Sequence, residues 1–215
     1  MKNILFDLDG TLTDPKEGIT RSVQYALEKF GIHEENLDRL CPFIGPPLRD
    51  SFREFYGFDK EQASLGVEYY REYFADRGIW ENKVYDGIPQ MLERLKAAGN
   101  RLYVATSKPE VFAVRILDHF GLSRWFDFIG GADMGETRVE KADVIAYTLK
   151  NGKVSGADTI LMVGDRRHDV EGAAKNGIPA VGVLYGYGSK EELSRAGARF
   201  LAAGVEELSA LLLKL

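Results

Sequence analysis

Asp7 and Asp9 stand two residues apart where the apolar run Ile4-Leu5-Phe6 stops, and Gly10 follows them at once. So short a run reads as a strand buried on both faces, and Gly10 permits a sharp change of chain direction. Two carboxylates at the end of a core strand resist ionising side by side, and a bound divalent cation relieves that repulsion. Magnesium suits the place, being a hard ion that takes carboxylate and substrate phosphate oxygens. Taken alone, Asp-x-Asp-Gly also suits an ordinary strand followed by a turn. Further polar groups follow other apolar runs: Thr106, Ser107 and Lys108 after Leu102–Ala105, and Asp165 and Asp169 after Thr159–Val163. Lys141 precedes a helical pattern, where a cation is electrostatically misplaced unless it has an anion to meet.

Asp7-Leu8-Asp9-Gly10-Thr11-Leu12 resembles the opening motif of the haloacid dehalogenase superfamily of phosphate-transferring hydrolases. Three more segments match at the expected places: Leu102 to Lys108, Lys141, and Val163-Gly164-Asp165-Arg166-Arg167-His168-Asp169. The match spans nearly the whole chain, and the dispersed set is far more specific than any one piece. The resemblance implies that Asp7 is a nucleophile forming an aspartyl-phosphate, which splits one difficult hydrolysis into two easier steps. It implies that Asp9 protonates the departing alkoxide and then deprotonates water, with its backbone carbonyl facing the metal. Thr106 would hold a phosphoryl oxygen, with Ser107 and Lys108 as substrate contacts and Lys108 at the border toward a cap. Lys141 would neutralise the transferring phosphoryl group and keep Asp7 ionised, although Ala142 follows it where the family often has proline. Asp165 resembles the magnesium ligand, and Asp169 the second acid, acting as a ligand or through water and Lys141.

Some of these residues also suit plainer roles. Thr106 and Ser107 could cap a helix before Pro109, and Asp165 and Asp169 could cap the helix near His168. Arg49, in Ile44-Gly45-Pro46-Pro47-Leu48-Arg49, suits bidentate recognition of phosphate or carboxylate and equally a solvated helix charge. His168 has no sequence partner that would make it a base, and His33 and His119 read as surface or core residues. Tyr185-Gly186-Tyr187-Gly188 resembles a loop of phosphoglycolate-phosphatase-like members, with no chemistry assigned to it.

The elements that must position these groups fall into two textures. Asp14-Pro15-Lys16-Glu17 reads as a helix start, with Asp14 as cap and Pro15 in the first helical position. Ile19, Val23, Ala26, Leu27 and Phe30 then recur at helical spacing up to Gly31. Leu48, Phe52, Phe55 and Tyr56 continue the pattern to Gly57, and a third helix opens at Asp59 with Val67, Tyr70 and Phe74 on one face. No convincing strand lies between Lys16 and Asn82. From Tyr85 onward, helices (Pro89–Ala98, from Pro109, Ala142–Leu149, Val170–Lys175) alternate with strands (Leu102–Ala105, Phe126–Ile129, Thr159–Val163, Ala180–Leu184). That alternation predicts an α/β fold with a doubly wound parallel sheet, residues 1–15 and 83–215 forming the core and 16–82 an inserted helical cap. Ligands of such sheets bind beyond the carboxyl ends of the strands, where Asp7, Thr106 and Asp165 all fall.

A chain of 215 residues with 45% hydrophobic and 28% charged residues is ordinary for a globular protein. Its net charge of −5 argues against a nucleic-acid or anionic-membrane partner, but not against a phosphorylated metabolite. The single cysteine, Cys41, excludes an internal disulfide and a cysteine zinc site. Asp7 interrupts the N-terminal apolar run too early for a signal peptide, so a cytoplasmic protein is expected. The expected function is a magnesium-dependent phosphatase of a small phosphomonoester, phosphoglycolate first and a 5′-nucleotide second. A phosphomutase shares all four motifs. A dehalogenase needs neither Asp9 nor Asp165, and a phospho-acceptor receiver domain is shorter, lacks the helical insert and carries its acceptor on a middle strand.

Overall fold

A computed structural model describes residues 1–135, 137–154 and 159–215. The chain opens with β1 (Lys2–Phe6) and the two-residue β2 (Thr13–Asp14). It then runs through α1 (Lys16–Lys29), a 3-10 helix (Leu37–Phe43), α2 (Leu48–Tyr56), α3 (Lys60–Tyr73) and a π-helical turn (Phe74–Gly78). β3 (Lys83–Val84) pairs with β2 in a two-stranded ribbon. Thereafter helix and strand alternate: α4 (Ile88–Ala97), β4 (Arg101–Pro109), α5 (Glu110–His119), β5 (Phe128–Ala132), α6 (Lys141–Asn151) and β6 (Thr159–Gly164). The chain finishes with α7 (Arg167–Lys175), β7 (Ala180–Val183), α8 (Lys190–Ala196), β8 (Phe200–Ala202) and α9 (Val205–Lys214). Two compact units result, one of residues 1–14 and 84–215 and the other of residues 15–83.

In the first unit six strands form a sheet in the order β5-β4-β1-β6-β7-β8, every neighbouring pair parallel. The chain winds outward from β1 through β4 to β5, crosses back to β6, and winds the other way. The strand order reverses beside β1, which places a ligand crevice at the carboxyl ends of the central strands. Both faces are covered, as the uninterrupted apolar runs require. Leu5, Tyr103, Ala105 and Met162 point one way and pack with Val144 and Ile145 of α6, Val170 and Ala173 of α7 and Leu193 of α8. Ile4, Phe6, Leu102, Val104, Leu161 and Val163, of the other parity, are equally buried.

Three sequence expectations change. The strand predicted over Phe126–Ile129 is β5 at Phe128–Ala132, displaced onto two glycines that offer no strand propensity. The sheet needs them: a Cβ on Gly130 would fall 2.1 Å from Thr148 Oγ1, and one on Gly131 would fall 2.6 Å from the Glu110 Cα. Asp14 does not cap α1. Pro15 takes the cap position without a side-chain hydrogen bond, because the Asp14 carboxylate accepts from the Tyr187 hydroxyl instead. The sixth strand, β8, has only three residues and went unread.

The second unit is helical. Ile19, Val23, Ala26 and Leu27 form the buried face of α1, and Phe52, Val67, Tyr70 and Phe74 are buried too. Asp59 caps α3 with Gln62 in a reciprocal capping box. Phe52 stacks on Phe58 and meets Phe43 edge-on at 5.1 Å, and these three buried rings fill part of a small core. Phe55 turns outward instead. Among the described residues no helix is long and apolar enough to cross a membrane.

Candidate active site

β1 ends at Phe6, and the Asp7 N–H continues the ladder by donating to the Val163 carbonyl at 2.9 Å. The Asp7 side chain is thus fixed at the strand's carboxyl end, almost wholly buried. Lys141, the first residue of α6, is buried beside it. Its Nζ lies 2.8 Å from Asp7 Oδ1 and 2.7 Å from Asp169 Oδ1, and donates to the Ala105 carbonyl at 3.0 Å. The stem of Lys141 passes α7 at Gly172, where a Cβ would approach it to 2.9 Å. Burial works against the lysine's charge, but the Asp169 and Asp7 carboxylates outweigh it and raise its pKa. The cation at a helix start therefore has its reason in the two anions it meets. Asp169 sits in the first turn of α7, where its Oδ2 accepts from the Arg166 N–H at 3.0 Å. The capping role and the ion pair coexist, one on each oxygen. Burial pushes its carboxyl up to about 6, against the pull of Lys141.

Asp9 is paired separately: Lys108 Nζ lies 2.7 Å from its Oδ2, with both side chains buried. Lys108 is therefore a direct neighbour of the second carboxylate of the opening motif. Burial raises the Asp9 pKa although Lys108 opposes it, the direction that suits an acid able to give up a proton near neutral pH. Thr106 is buried in β4, and its hydroxyl accepts from the Lys108 N–H at 3.2 Å. It does not cap α5. β4 runs on to Pro109, which takes the cap position with no side-chain bond. Ser107 is half-buried beside it. For His168, burial and then the Arg167 and Arg166 charges push the pKa down.

Asp165 follows β6 and is fully buried. Its Oδ2 accepts from the Tyr187 N–H at 2.7 Å, while its Oδ1 has no hydrogen-bond partner among the described residues. Burial, then the nearby Asp169 and Asp7, push its carboxyl well above the usual range. One oxygen each of Asp7, Asp165 and Asp169 lie within 4.8 Å of one another. Counting Asp9, four carboxylates face two ammonium groups, Lys141 and Lys108. Fully ionised, the cluster has two uncompensated negative charges, the charge that one divalent cation supplies. An orphaned carboxylate oxygen in an all-oxygen donor set fits a hard cation such as magnesium.

Sequence reasoning missed what holds Asp165. A Cβ on Gly10 would fall 2.2 Å from its Oδ2, one on Gly186 would fall 2.4 Å from its Cβ, and one on Gly188 would fall 1.9 Å from its carbonyl oxygen. Gly10 also has φ of +81°, which few other residues tolerate. The Tyr185–Gly188 segment, left without a role, therefore wraps the carboxylate that resembles a metal ligand. Its signals in the sequence are the family resemblance of the loop and glycine at alternate positions, and neither points to Asp165. Arg49 lies on α2 in the helical unit, whereas Asp7, Asp9, Thr106, Ser107, Lys108, Lys141, Asp165 and Asp169 all belong to the α/β unit.

A family model described as haloacid dehalogenase-like hydrolase matches residues 4–183, most of the chain. The chain belongs to the haloacid dehalogenase-like hydrolases. This haloacid dehalogenase-like hydrolase is 53% identical over 191 residues to a 5′-nucleotidase of Pseudomonas aeruginosa, covering 89% of this chain and 86% of the relative. It is 40% identical over 207 residues to the tyrosine-protein kinase PtkA of Mycobacterium tuberculosis, covering 95% and 70%. It is 34% identical over 197 residues to a phosphoglycolate phosphatase of Aquifex aeolicus, covering 87% and 86%. The crystal structure of a predicted phosphatase from Clostridium acetobutylicum, 50% identical, superposes with a TM-score of 0.96 over 100% of this chain and 99% of that one. Within its family the hydrolase is a phosphatase, acting on phosphoric monoesters.

Proposed function

We propose that this chain hydrolyses a small phosphomonoester in two steps through an aspartyl-phosphate on Asp7. The observation that carries the reading is the buried convergence of Asp7, Asp165 and Asp169, with Lys141 bridging Asp7 and Asp169 and with Asp9 alongside. In the first step an Asp7 oxygen attacks phosphorus, the ester P–O bond breaks, and the departing alkoxide takes a proton from Asp9. In the second, water attacks the aspartyl-phosphate, gives its proton to Asp9, and frees inorganic phosphate and the Asp7 carboxylate. Lys141 neutralises the phosphoryl oxygens and keeps Asp7 ionised, and the Thr106 hydroxyl holds one oxygen. Magnesium, taken by Asp7, Asp165 and the Asp9 carbonyl with Asp169 in support, supplies further charge neutralisation when bound.

The substrate reading starts from phosphoglycolate, supported by the Aquifex relative and by the Tyr-Gly-Tyr-Gly loop. A second reading, a nucleoside 5′-monophosphate, is favoured by the higher identity to the Pseudomonas 5′-nucleotidase. The helical unit acts as the cap that chooses between them, with Arg49, Ser107 and Lys108 as substrate contacts. Free phosphate measured across glycolate, sugar and nucleotide phosphates decides. Phosphate transferred to a protein tyrosine, with none released, would contradict hydrolysis altogether.

Two outcomes follow from these roles. Turnover is expected to vanish in excess chelator and to return with magnesium, while calcium restores little because its looser coordination misplaces nucleophile and phosphate. Full activity in chelator would sink the metal assignment. Arg49→Ala is expected to cost the natural substrate much more kcat/KM than an activated aryl phosphate, since a remote contact acts through binding energy that the aryl ester does not use. Equal losses on both would show that Arg49 does not discriminate.

A further inference from the structure

The segment from Tyr185 to Gly188 is fastened at three points, and two lead away from the carboxylate it encloses. The Tyr187 N–H donates to Asp165 Oδ2 at 2.7 Å. The Tyr187 hydroxyl donates to the Asp14 carboxylate, and the Tyr185 hydroxyl donates to the Thr11 carbonyl at 3.0 Å. Tyr85, next to β3, packs edge-on against the Tyr185 ring at 5.0 Å. Between the two tyrosines and after them, Gly186 and Gly188 lie so close to Asp165 that neither position has room for a Cβ. Thr11 and Asp14 belong to the connection that leaves β1, and Asp14 is the last residue of the α/β unit before the chain enters the helical one.

We infer that this loop is a clasp that sets the orientation of Asp165, with Tyr187 the positioning residue that ties the clasp to Asp14. The inference rests on the proposed role of Asp165 as a magnesium ligand. A carboxylate with one oxygen held by an N–H presents the other, Oδ1, in a fixed direction. Groups that orient a ligating side chain in this way typically contribute 10–100-fold to metal affinity. The main-chain N–H cannot be mutated away, but its placement depends on the hydroxyl that anchors the same residue. Without that anchor the peptide bearing the N–H loses one of its three fastenings, and the direction of Asp165 is set less firmly. Asp14 thereby connects the point where the chain leaves the core to the geometry of the metal site.

The test is magnesium affinity of the full chain, measured by calorimetry and by competition with manganese followed by electron paramagnetic resonance, with no substrate present. Tyr187→Phe is expected to weaken magnesium binding by about tenfold, the lower end of the range for such groups, and Asp14→Ala by a similar factor. Asp14→Asn keeps an oxygen for the Tyr187 hydroxyl and is expected to stay near wild type. Unfolding in chelator reads the fold separately: the clasp requires that affinity fall while the chelator Tm stays close to wild type. A Tyr187→Phe protein that binds magnesium as wild type does, whether or not its Tm falls, overturns the clasp and leaves the metal site standing. A wild-type protein that binds no magnesium, or an Asp165→Asn protein that binds it equally well, overturns the metal site and the clasp with it.

Discussion

Replacing Lys141 with Met is expected to lower kcat by about 10²–10³-fold, the effect of removing one fixed charge-stabilising donor from a reacting centre. The same change should be legible in stability. Lys141 Nζ serves the Asp7 carboxylate, the Asp169 carboxylate and the Ala105 carbonyl together, and removing one side of a buried ion pair strands the other, typically costing about 3–5 kcal/mol. The pH dependence has a definite sign. Burial pushes the Asp169 carboxyl up to about 6 even with the lysine present, above the ordinary value of about 3.9. A folded-state pKa above the unfolded one stabilises the fold at low pH, and that contribution is lost as pH rises through the folded value. Without Lys141 the value climbs further. In chelator the variant should therefore lie closest to wild type near about pH 5 and fall furthest below it near about pH 8, as measured by thermal unfolding. A Tm difference independent of pH would mean that the lysine does not serve these carboxylates electrostatically.

Asp9→Asn is expected to cost the natural substrate about 10²–10⁴-fold in kcat, the usual worth of general acid–base catalysis. The amide keeps the shape of the side chain and leaves the main-chain carbonyl in place, so the loss isolates proton transfer. An aryl phosphate, whose leaving group departs without a proton, should be largely spared in the first step and slowed in the second, where water must still be deprotonated. The Lys108 neighbour sharpens the expectation. With Asp9 neutral the buried ammonium loses its counter-ion, so Lys108→Met in the Asp9→Asn background should cost less than in wild type, a coupling that a double-mutant cycle measures.

The sequence was informative wherever a residue acts through its own side chain at the end of a regular apolar run. Ile4-Leu5-Phe6 reads as a buried strand, which puts Asp7 at its carboxyl end. The runs before Thr106 and Asp165 carried the same logic, and the alternation of helix and strand made the parallel sheet readable. Where backbone or neighbours decide, the reading failed. Gly130 and Gly131 carry no strand signal because their role is to let Thr148 and Glu110 approach. Asp14 has the chemistry of a helix cap, but a tyrosine 173 residues away takes its carboxylate. No local pattern in the sequence reveals that Lys108 meets Asp9. The clasp around Asp165 was invisible for a related reason: its main-chain N–H is common to every residue, and its glycines and tyrosines carry no local sign of the distant partners they meet.

Whether hydrolysis passes through an acyl phosphate on Asp7 is tested most directly by weighing the protein. Asp9→Asn enzyme mixed with an aryl phosphate and magnesium, quenched in acid within its first turnovers, should carry one added phosphoryl group per chain by intact mass. An Asp7→Asn control treated identically should carry none. Peptide mapping should place the group on Asp7. Equal steady-state turnover of aryl phosphate by well-folded Asp9→Asn and wild-type enzyme, with no mass increase at any quench time, would contradict the two-step mechanism and the role given to Asp9 in it.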